Sequence, residues 1–272
     1  MLVYILLFLE LVLLSTLLYV YVHRKTHISL HYLYKDNVVN ILICCMITYM
    51  IQGNIVSWIT AMCVPFIVGV CAVILFIIRF YRKPWLRKLR TLNRGGYSQN
   101  SIISSADGRI IYIKKIASGE IPVSVKNGRQ ATLTEIAQTG ILDYPCLLIG
   151  IEMTPFDVHR NAAPVDGKII LNKHIDGEFR SLKDPEALAH NERNTMVFQM
   201  ENGTKIGIVQ TASRLVRRIE TYRKEGDMVS KSDWIGMIKF GSQVDMIIPA
   251  SSKVCVEVGQ QVYVMETKIA EL

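Results

Sequence analysis

The run Lys239-Phe240-Gly241-Ser242-Gln243-Val244-Asp245 sets a Gly-Ser pair between two apolar, strand-like stretches near the C-terminus. A serine hydroxyl that follows a glycine carbonyl in a tight turn can attack that carbonyl, so the Gly241–Ser242 bond is a candidate for cleavage by the chain itself. Taken alone, Gly-Ser is an ordinary solvated turn, and any chemistry has to be argued from what accompanies it. His159, in Phe156-Asp157-Val158-His159-Arg160, is an acid/base candidate because imidazole titrates near neutral pH. Beside Asp157 it fits a structural hydrogen bond equally. Asp107-Gly108 and Asp166-Gly167 place acids in turn-forming pairs.

These residues lie in a β-rich region. After Arg94-Gly95-Gly96 short β-branched runs alternate with Gly, Asp, Asn and Pro, which predicts a mostly β, compact sandwich or barrel-like domain over 95–272. Strands are expected at 110–113, 121–125, 146–151, 168–171, 196–199, 205–210, 234–238, 244–248, 253–258 and 261–265, with a helical turn near 184–189. Two echoes recur. Ala106-Asp107-Gly108-Arg109-Ile110-Ile111 is matched by Val165-Asp166-Gly167-Lys168-Ile169-Ile170, and Gly226-Asp227-Met228-Val229 by Gly259-Gln260-Gln261-Val262. Each puts a turn before an apolar strand, as paired hairpins would.

Residues 1–94 read as a membrane anchor. Leu2 to Val22 is almost wholly apolar, interrupted by Glu10, Ser15 and Thr16, and Val38 to Ile78 is a second apolar block broken by Gln52-Gly53-Asn54 and Pro65, a helical hairpin. The basic cluster His23-Arg24-Lys25 follows the first run instead of preceding it, which argues against a cleaved signal peptide. Arg24, Lys25 and Lys35 lie between the blocks, and Arg79, Arg82, Lys83, Arg87, Lys88 and Arg90 form a basic linker over 79–94. Their position predicts that the C-terminal domain lies on the cytoplasmic side.

The net charge of +8 carries no interleaved aromatics of the nucleic-acid-binding kind and points to a membrane surface instead. None of the six cysteines is in a C-x-x-C spacing, so neither zinc nor a disulfide framework is indicated. Glu266-Thr267-Lys268-Ile269-Ala270 looks like the lysine turn of lipoyl and biotinyl carriers, but too few residues follow Lys268 to form a returning strand.

Five stretches in order closely resemble the phosphatidylserine decarboxylase proenzyme family in its shorter prokaryotic form: Ala106-Asp107-Gly108, Phe156-Asp157-Val158-His159-Arg160, Ala163-Pro164-Val165-Asp166-Gly167, Asn191-Glu192-Arg193-Asn194 and Gly236-Met237-Ile238-Lys239-Phe240-Gly241-Ser242. The likeness runs from Arg79 to the C-terminus, and Arg79-Phe80-Tyr81-Arg82-Lys83-Pro84 resembles that family's juxtamembrane segment.

The resemblance implies that the Ser242 hydroxyl attacks the Gly241 carbonyl to give an ester. Elimination then leaves a dehydroalanine that becomes a pyruvoyl cofactor at the head of the fragment 242–272. Decarboxylation of an amino acid leaves electrons on the α-carbon, and a ketone that condenses with the substrate amine accepts them. No metal or nucleotide is implied. By the same resemblance His159 serves decarboxylation, Asp107 orients the self-cleavage machinery, the substrate is a membrane phospholipid, and a homodimer is common.

One position departs from the family pattern. Long-form members carry a second histidine three residues after the first, and here that position is Ala162, so His159, His190 or another group must supply the base for cleavage. Asn191, Glu192 and Arg193 are candidates either to hold the lipid headgroup or to brace the Gly-Ser turn. Arg214, Arg217 and Arg218 form a basic run open to substrate phosphate or to solvent. Two other readings remain at this point: a decarboxylase of another serine phospholipid such as archaetidylserine, and a non-enzymatic, membrane-tethered lipoyl-like adaptor.

Overall fold

The structure, a computed structural model, describes residues 2–26, 30–50, 55–93, 96–117, 133–178, 180–182, 184, 187–213, 218–239 and 242–272. Two compact units divide it, Met1–Arg79 and Phe80–Leu272.

The first unit contains the helices α1 (Leu2–Thr26), α2 (Leu30–Met50) and α3 (Ile55–Tyr81), the last ending on Phe80 and Tyr81 of the second unit. Ser15, which interrupts the first apolar run, is buried and donates its hydroxyl to the side chain of Asn37 in α2, while Asn37 Nδ2 donates to Thr16 at 3.4 Å. Buried polar groups thus find partners between helices. Among the described residues no helix is long and apolar enough to cross a membrane. The expected bilayer spans are therefore not carried by this structure. One physical reason is visible in α2, which starts at Leu30 instead of Val38 and takes in Lys35, Asp36, Asn37 and Asn40.

The second unit begins at Phe80, not at Gly95, because the segment expected as a linker folds into it. Residues Trp85–Asn93 form α4, whose Arg87 forms an ion pair with Asp107. The strands are β1 (Ser101–Ile103), β2 (Gly108–Ile116), β3 (Cys146–Met153), β4 (Arg160–Ala162), β5 (Gly167–Ile175), β6 (Arg193–Gln199), β7 (Lys205–Thr211), β8 (Ile219–Thr221), β9 (Met228–Val229), β10 (Trp234–Ile238), β11 (Ser242–Pro249), β12 (Lys253–Val254), β13 (Gln261–Val262) and β14 (Lys268–Glu271). Short helices α5 (Leu133–Ala137) and α6 (Ala187–His190) complete the unit.

An eight-stranded antiparallel sheet, ordered β13-β2-β3-β11-β7-β6-β5-β9, is the scaffold, and two three-stranded sheets, β1-β14-β12 and β4-β10-β8, accompany it. Alternation along the central strands feeds two cores. Ile149, Ile151, Met196, Phe198, Ile206, Ile208, Val244 and Met246 pack on one face with Ile102, Ile235, Ile238 and Ile269 of the small sheets. Leu148, Val197, Val209 and Ile247 pack on the other with Leu133 and Ile136 of α5.

The sequence echoes are the two edges of this sheet. Gly108 opposes Val262 and Gly167 opposes Val229, so β2 with β13 mirrors β5 with β9. Both long strands carry a bulge at the same place, between Ile110 and Tyr112 and between Ile169 and Leu171. The extra residue turns the remainder of each strand to the opposite face.

Most expected strands are present with longer bounds, whereas the run expected at 253–258 pairs only at Lys253 and Val254 and that at 261–265 only at Gln261 and Val262. The strand expected at 121–125 lies outside the described residues. Lys268 sits inside β14, between β1 and β12, and its Nζ is 3.1 Å from Glu271; it is not at a hairpin tip.

Candidate active site at the head of strand β11

Three connections meet where β11 begins. Ser242 opposes Met153, the last residue of β3, and Gln243 opposes both Glu152 and Thr211, the last residue of β7. Beyond Met153 the chain turns through Thr154–Asp157, closed by Thr154 N donating to Asp157 Oδ2 at 2.7 Å, and reaches His159. The His159 carbonyl accepts from Ile238 N at 3.0 Å, at the end of β10, and Lys239 N donates to the Arg218 carbonyl at 3.1 Å. His159, Arg218, Lys239 and the backbone of Ser242 are thereby brought to one end of the unit. Phe240 and Gly241 lie outside the described residues, as do Arg214 and Arg217, so the cleavage-site reading rests on the backbone of Ser242 and its neighbours.

His159 is fully buried. Its Nδ1 is 3.0 Å from the Asp157 carbonyl oxygen, and its ring lies 4.3 Å from that of Phe80 with 32° between planes. A carbonyl can only accept, so Nδ1 carries the proton and Nε2 is left with its lone pair. Burial pushes the imidazole down from 6.5 to about 4, although the Asp157 carbonyl and carboxylate act in the opposite direction. The ring is therefore neutral at physiological pH, the state a base requires.

Between pH 6.5 and about 4 the unfolded chain binds this proton and the folded chain does not, so the group's contribution to stability is lost as pH falls through that window. A step that uses His159 as base should accordingly have its acid limb near pH 4. A rate profile centred near 6.5 would contradict this.

Asp107 is 1% exposed, and its carboxylate is shared among three elements. Arg87 of α4 grips it with both terminal nitrogens, NH2 to Oδ2 at 3.0 Å, while Val158 N donates to Oδ2 at 3.2 Å and Val264 N to Oδ1 at 2.8 Å. The matching acid of the other echo, Asp166, accepts from Lys231 N at 2.7 Å, the equivalent of the Val264 bond, and its side chain is mostly exposed. Turn formation explains the shared bond. Arg87 and Val158 are what Asp107 adds, and Val158 directly precedes His159. Asp107→Asn keeps the shape but faces Arg87 with a neutral group. It is expected to lower stability by about 3 kcal/mol, as breaking a buried pair does. Chemical denaturation would read this, and an unchanged midpoint would contradict it.

Asn191, Glu192 and Arg193 are all buried. Asn191 Nδ2 donates to the carbonyls of Arg180 and Ala212, both at 2.9 Å, Glu192 Oε1 accepts from Ile219 N at 3.1 Å, and Arg193 donates to the carbonyls of Ile136 and Asn191, both at 2.9 Å. Asn191 thus holds Ala212 and Glu192 holds Ile219, whose neighbour Arg218 accepts from Lys239 N. The hydrogen bonds these three side chains make are to backbone groups of neighbouring segments. Ala162 pairs with Trp234, away from the head of β11, in an apolar cluster with Val158, Val264 and Met265. His190 is exposed at the end of α6, and His159 is the buried histidine among the described residues. Among the described residues no group of His, Cys, Asp and Glu is arranged to hold a metal ion.

Sequence reasoning missed Arg87 and Phe80. Both lie in the segment read for its charge, and nothing in their spacing points to Asp107 or His159.

The sequence profile of the phosphatidylserine decarboxylase family matches residues 73–270. The chain belongs to that family. It is 39% identical over 208 residues to the putative archaetidylserine decarboxylase proenzyme of Methanocaldococcus jannaschii, covering 75% of this chain and 94% of that one. It is 30% identical over 232 residues to the phosphatidylserine decarboxylase proenzyme of Porphyromonas gingivalis (85% and 90% covered) and 31% identical over 195 residues to that of Geotalea uraniireducens (72% and 78%). Family membership removes the adaptor reading from the front rank.

Proposed function

We propose that the chain is the proenzyme of a serine-phospholipid decarboxylase, which cuts itself at Gly241–Ser242 and then converts phosphatidylserine to phosphatidylethanolamine and carbon dioxide. The observation that carries this is the buried, neutral His159, hydrogen-bonded through its backbone to the strand that leads into Gly241–Ser242. In the first reaction the Ser242 hydroxyl adds to the Gly241 carbonyl, its proton passes to His159 Nε2, and the carbon–nitrogen bond breaks as the nitrogen leaves protonated. With Ala162 in an apolar cluster, His159 is the residue assigned to both steps.

A pyruvoyl group at position 242 supplies an electron sink for the bond that releases carbon dioxide. His159 fits that role once its Nε2 has taken up a proton, which it would then give to the substrate α-carbon, returning to the neutral ring; the burial of His159 against Phe80 keeps water from the ring. The fragment 242–272 stays bound after cleavage, because β11 is paired on both sides and β14 lies between β1 and β12.

Archaetidylserine is the second reading, favoured by the relative at 39% identity, which is named for that lipid. Carbon dioxide release from carboxyl-labelled serine lipids, ester-linked and ether-linked, tests both. The wild type is expected to release it, Ser242→Ala to release none, and His159→Gln to be slower by at least about a hundredfold. A cut wild type that acts on neither lipid would contradict the proposal.

The anchor reading rests on α3, whose sequence has no charged residue between Ile55 and Ile78 and is followed by Arg79, Arg82, Lys83, Arg87, Lys88 and Arg90. An anchored enzyme with its catalytic unit on the cytoplasmic side would meet a substrate that stays in the bilayer. The full chain is then expected to float with lipid vesicles in high salt and at alkaline pH; its release by salt alone would exclude the anchor.

A further inference from the structure

On the face of β11 away from the large core lies a polar cluster that the reaction above does not use. Asp245 is fully buried in the middle of an apolar strand. Tyr112 OH donates to Asp245 Oδ1, and Gln243 Nε2 reaches Tyr112 OH at 2.7 Å and the two Asp245 oxygens at 3.0 and 3.1 Å. Lys114 Nζ sits 5.2 Å from the centre of the Tyr112 ring.

Two sequence features make this cluster possible. Tyr112 belongs to β2 and Asp245 to β11, with β3 between them; the register row runs Tyr112, Gly150, Asp245. Gly150 leaves the space through which the tyrosine crosses, since a Cβ there would lie 2.7 and 2.8 Å from the ring Cε atoms. The bulge after Ile110 is the second feature. Ile110 faces the large core, and the extra residue turns Tyr112 to the opposite face, toward Asp245. At the matching bulge of the other echo the equivalent residue is Leu171, which packs in the apolar core. The polar version is specific to the half that adjoins β11.

We propose that Tyr112, Asp245 and Gln243 form a clamp that fixes the residue next to Ser242, aligning the scissile bond before cleavage and holding the new chain end in place for decarboxylation. The proposal rests on the self-cleavage reading. Before the cut, residue 242 is held from both directions along the chain. Afterwards only the Gln243 side holds it covalently, and pairing on both sides of β11 begins at Gln243, with Ser242 opposed by Met153 alone, so side-chain anchoring at Gln243 limits how far position 242 can swing. Burial pushes the Asp245 carboxyl up from 3.8 to about 6, while the bonds from Tyr112 and Gln243 and the charge of Lys114 act in the opposite direction. These are positioning residues, acting through the backbone of β11.

Tyr112→Phe removes the bridging hydroxyl and keeps the ring; Asp245→Asn keeps the shape and removes the charge; Gly150→Ala blocks the crossing. Leu148→Ala, a cavity on the same face of the adjacent strand, serves as the stability control. In the full chain, the time course of cleavage, kcat and KM of the cleaved enzyme, and Tm are measured for each. Tyr112→Phe and Asp245→Asn are expected to slow cleavage and lower kcat on the order of tenfold with KM unchanged, as small misplacements of reacting atoms do. Leu148→Ala should lower Tm and leave kcat near wild type. Wild-type cleavage and kcat in Tyr112→Phe, or a loss matched by Leu148→Ala at equal Tm, would overturn the clamp while the functional reading stands. An uncut wild type would overturn the reading and the clamp with it.

Discussion

The carboxylate of Asp107 ties together the three parts of the catalytic unit that have to agree. It is buried, and a buried carboxylate without partners would be strongly unfavourable, so its four hydrogen bonds constrain every element that supplies them. Arg87 brings α4, Val158 brings the backbone just before His159, and Val264 brings the segment between β13 and β14. The first two lie in what would become the larger chain under the proposed cut, and the third in the smaller. One side chain therefore sets the position of the imidazole and joins the two products of the proposed cut.

The other constraint is the register of β11. Its head is the candidate nucleophile and its body is an interior strand of the large sheet. Cleavage ahead of an interior strand frees one end without freeing the strand, because pairing with β3 and β7 and the apolar contacts of Val244, Met246 and Ile247 remain. The strand's alternate positions divide the work. Even-numbered residues face the large core, and Gln243 and Asp245 face Tyr112 on the other side.

Much of this fold is legible in the sequence, and the echoes show both how far that goes and where it stops. The repeated Asp-Gly before an apolar strand signals matched edges, which Gly108 with Val262 and Gly167 with Val229 provide. It does not separate Asp107 from Asp166, since both accept a backbone N–H from the equivalent turn; burial and Arg87 separate them, and those are tertiary facts. Asp245 could have been noticed as a lone acid in an apolar strand, a group that demands donors. Tyr112 could not have been named as one of them, because an unbroken period of two would put it on the same face as Ile110. The helix bounds failed for a different reason. Hydropathy marks where α2 becomes apolar, whereas the helix itself begins at Leu30 and uses Asn37 to bind Ser15.

The central claim is that the chain breaks its own backbone before Ser242, and the intact mass of purified protein under denaturing conditions tests it most directly. The account predicts two chains, Met1 to Gly241 with an ordinary carboxyl end, and a fragment of residues 242–272 that is lighter than a serine-headed peptide by one ammonia and blocked to Edman degradation. A single uncut chain in active protein, or a smaller fragment that begins with an intact serine, would contradict it.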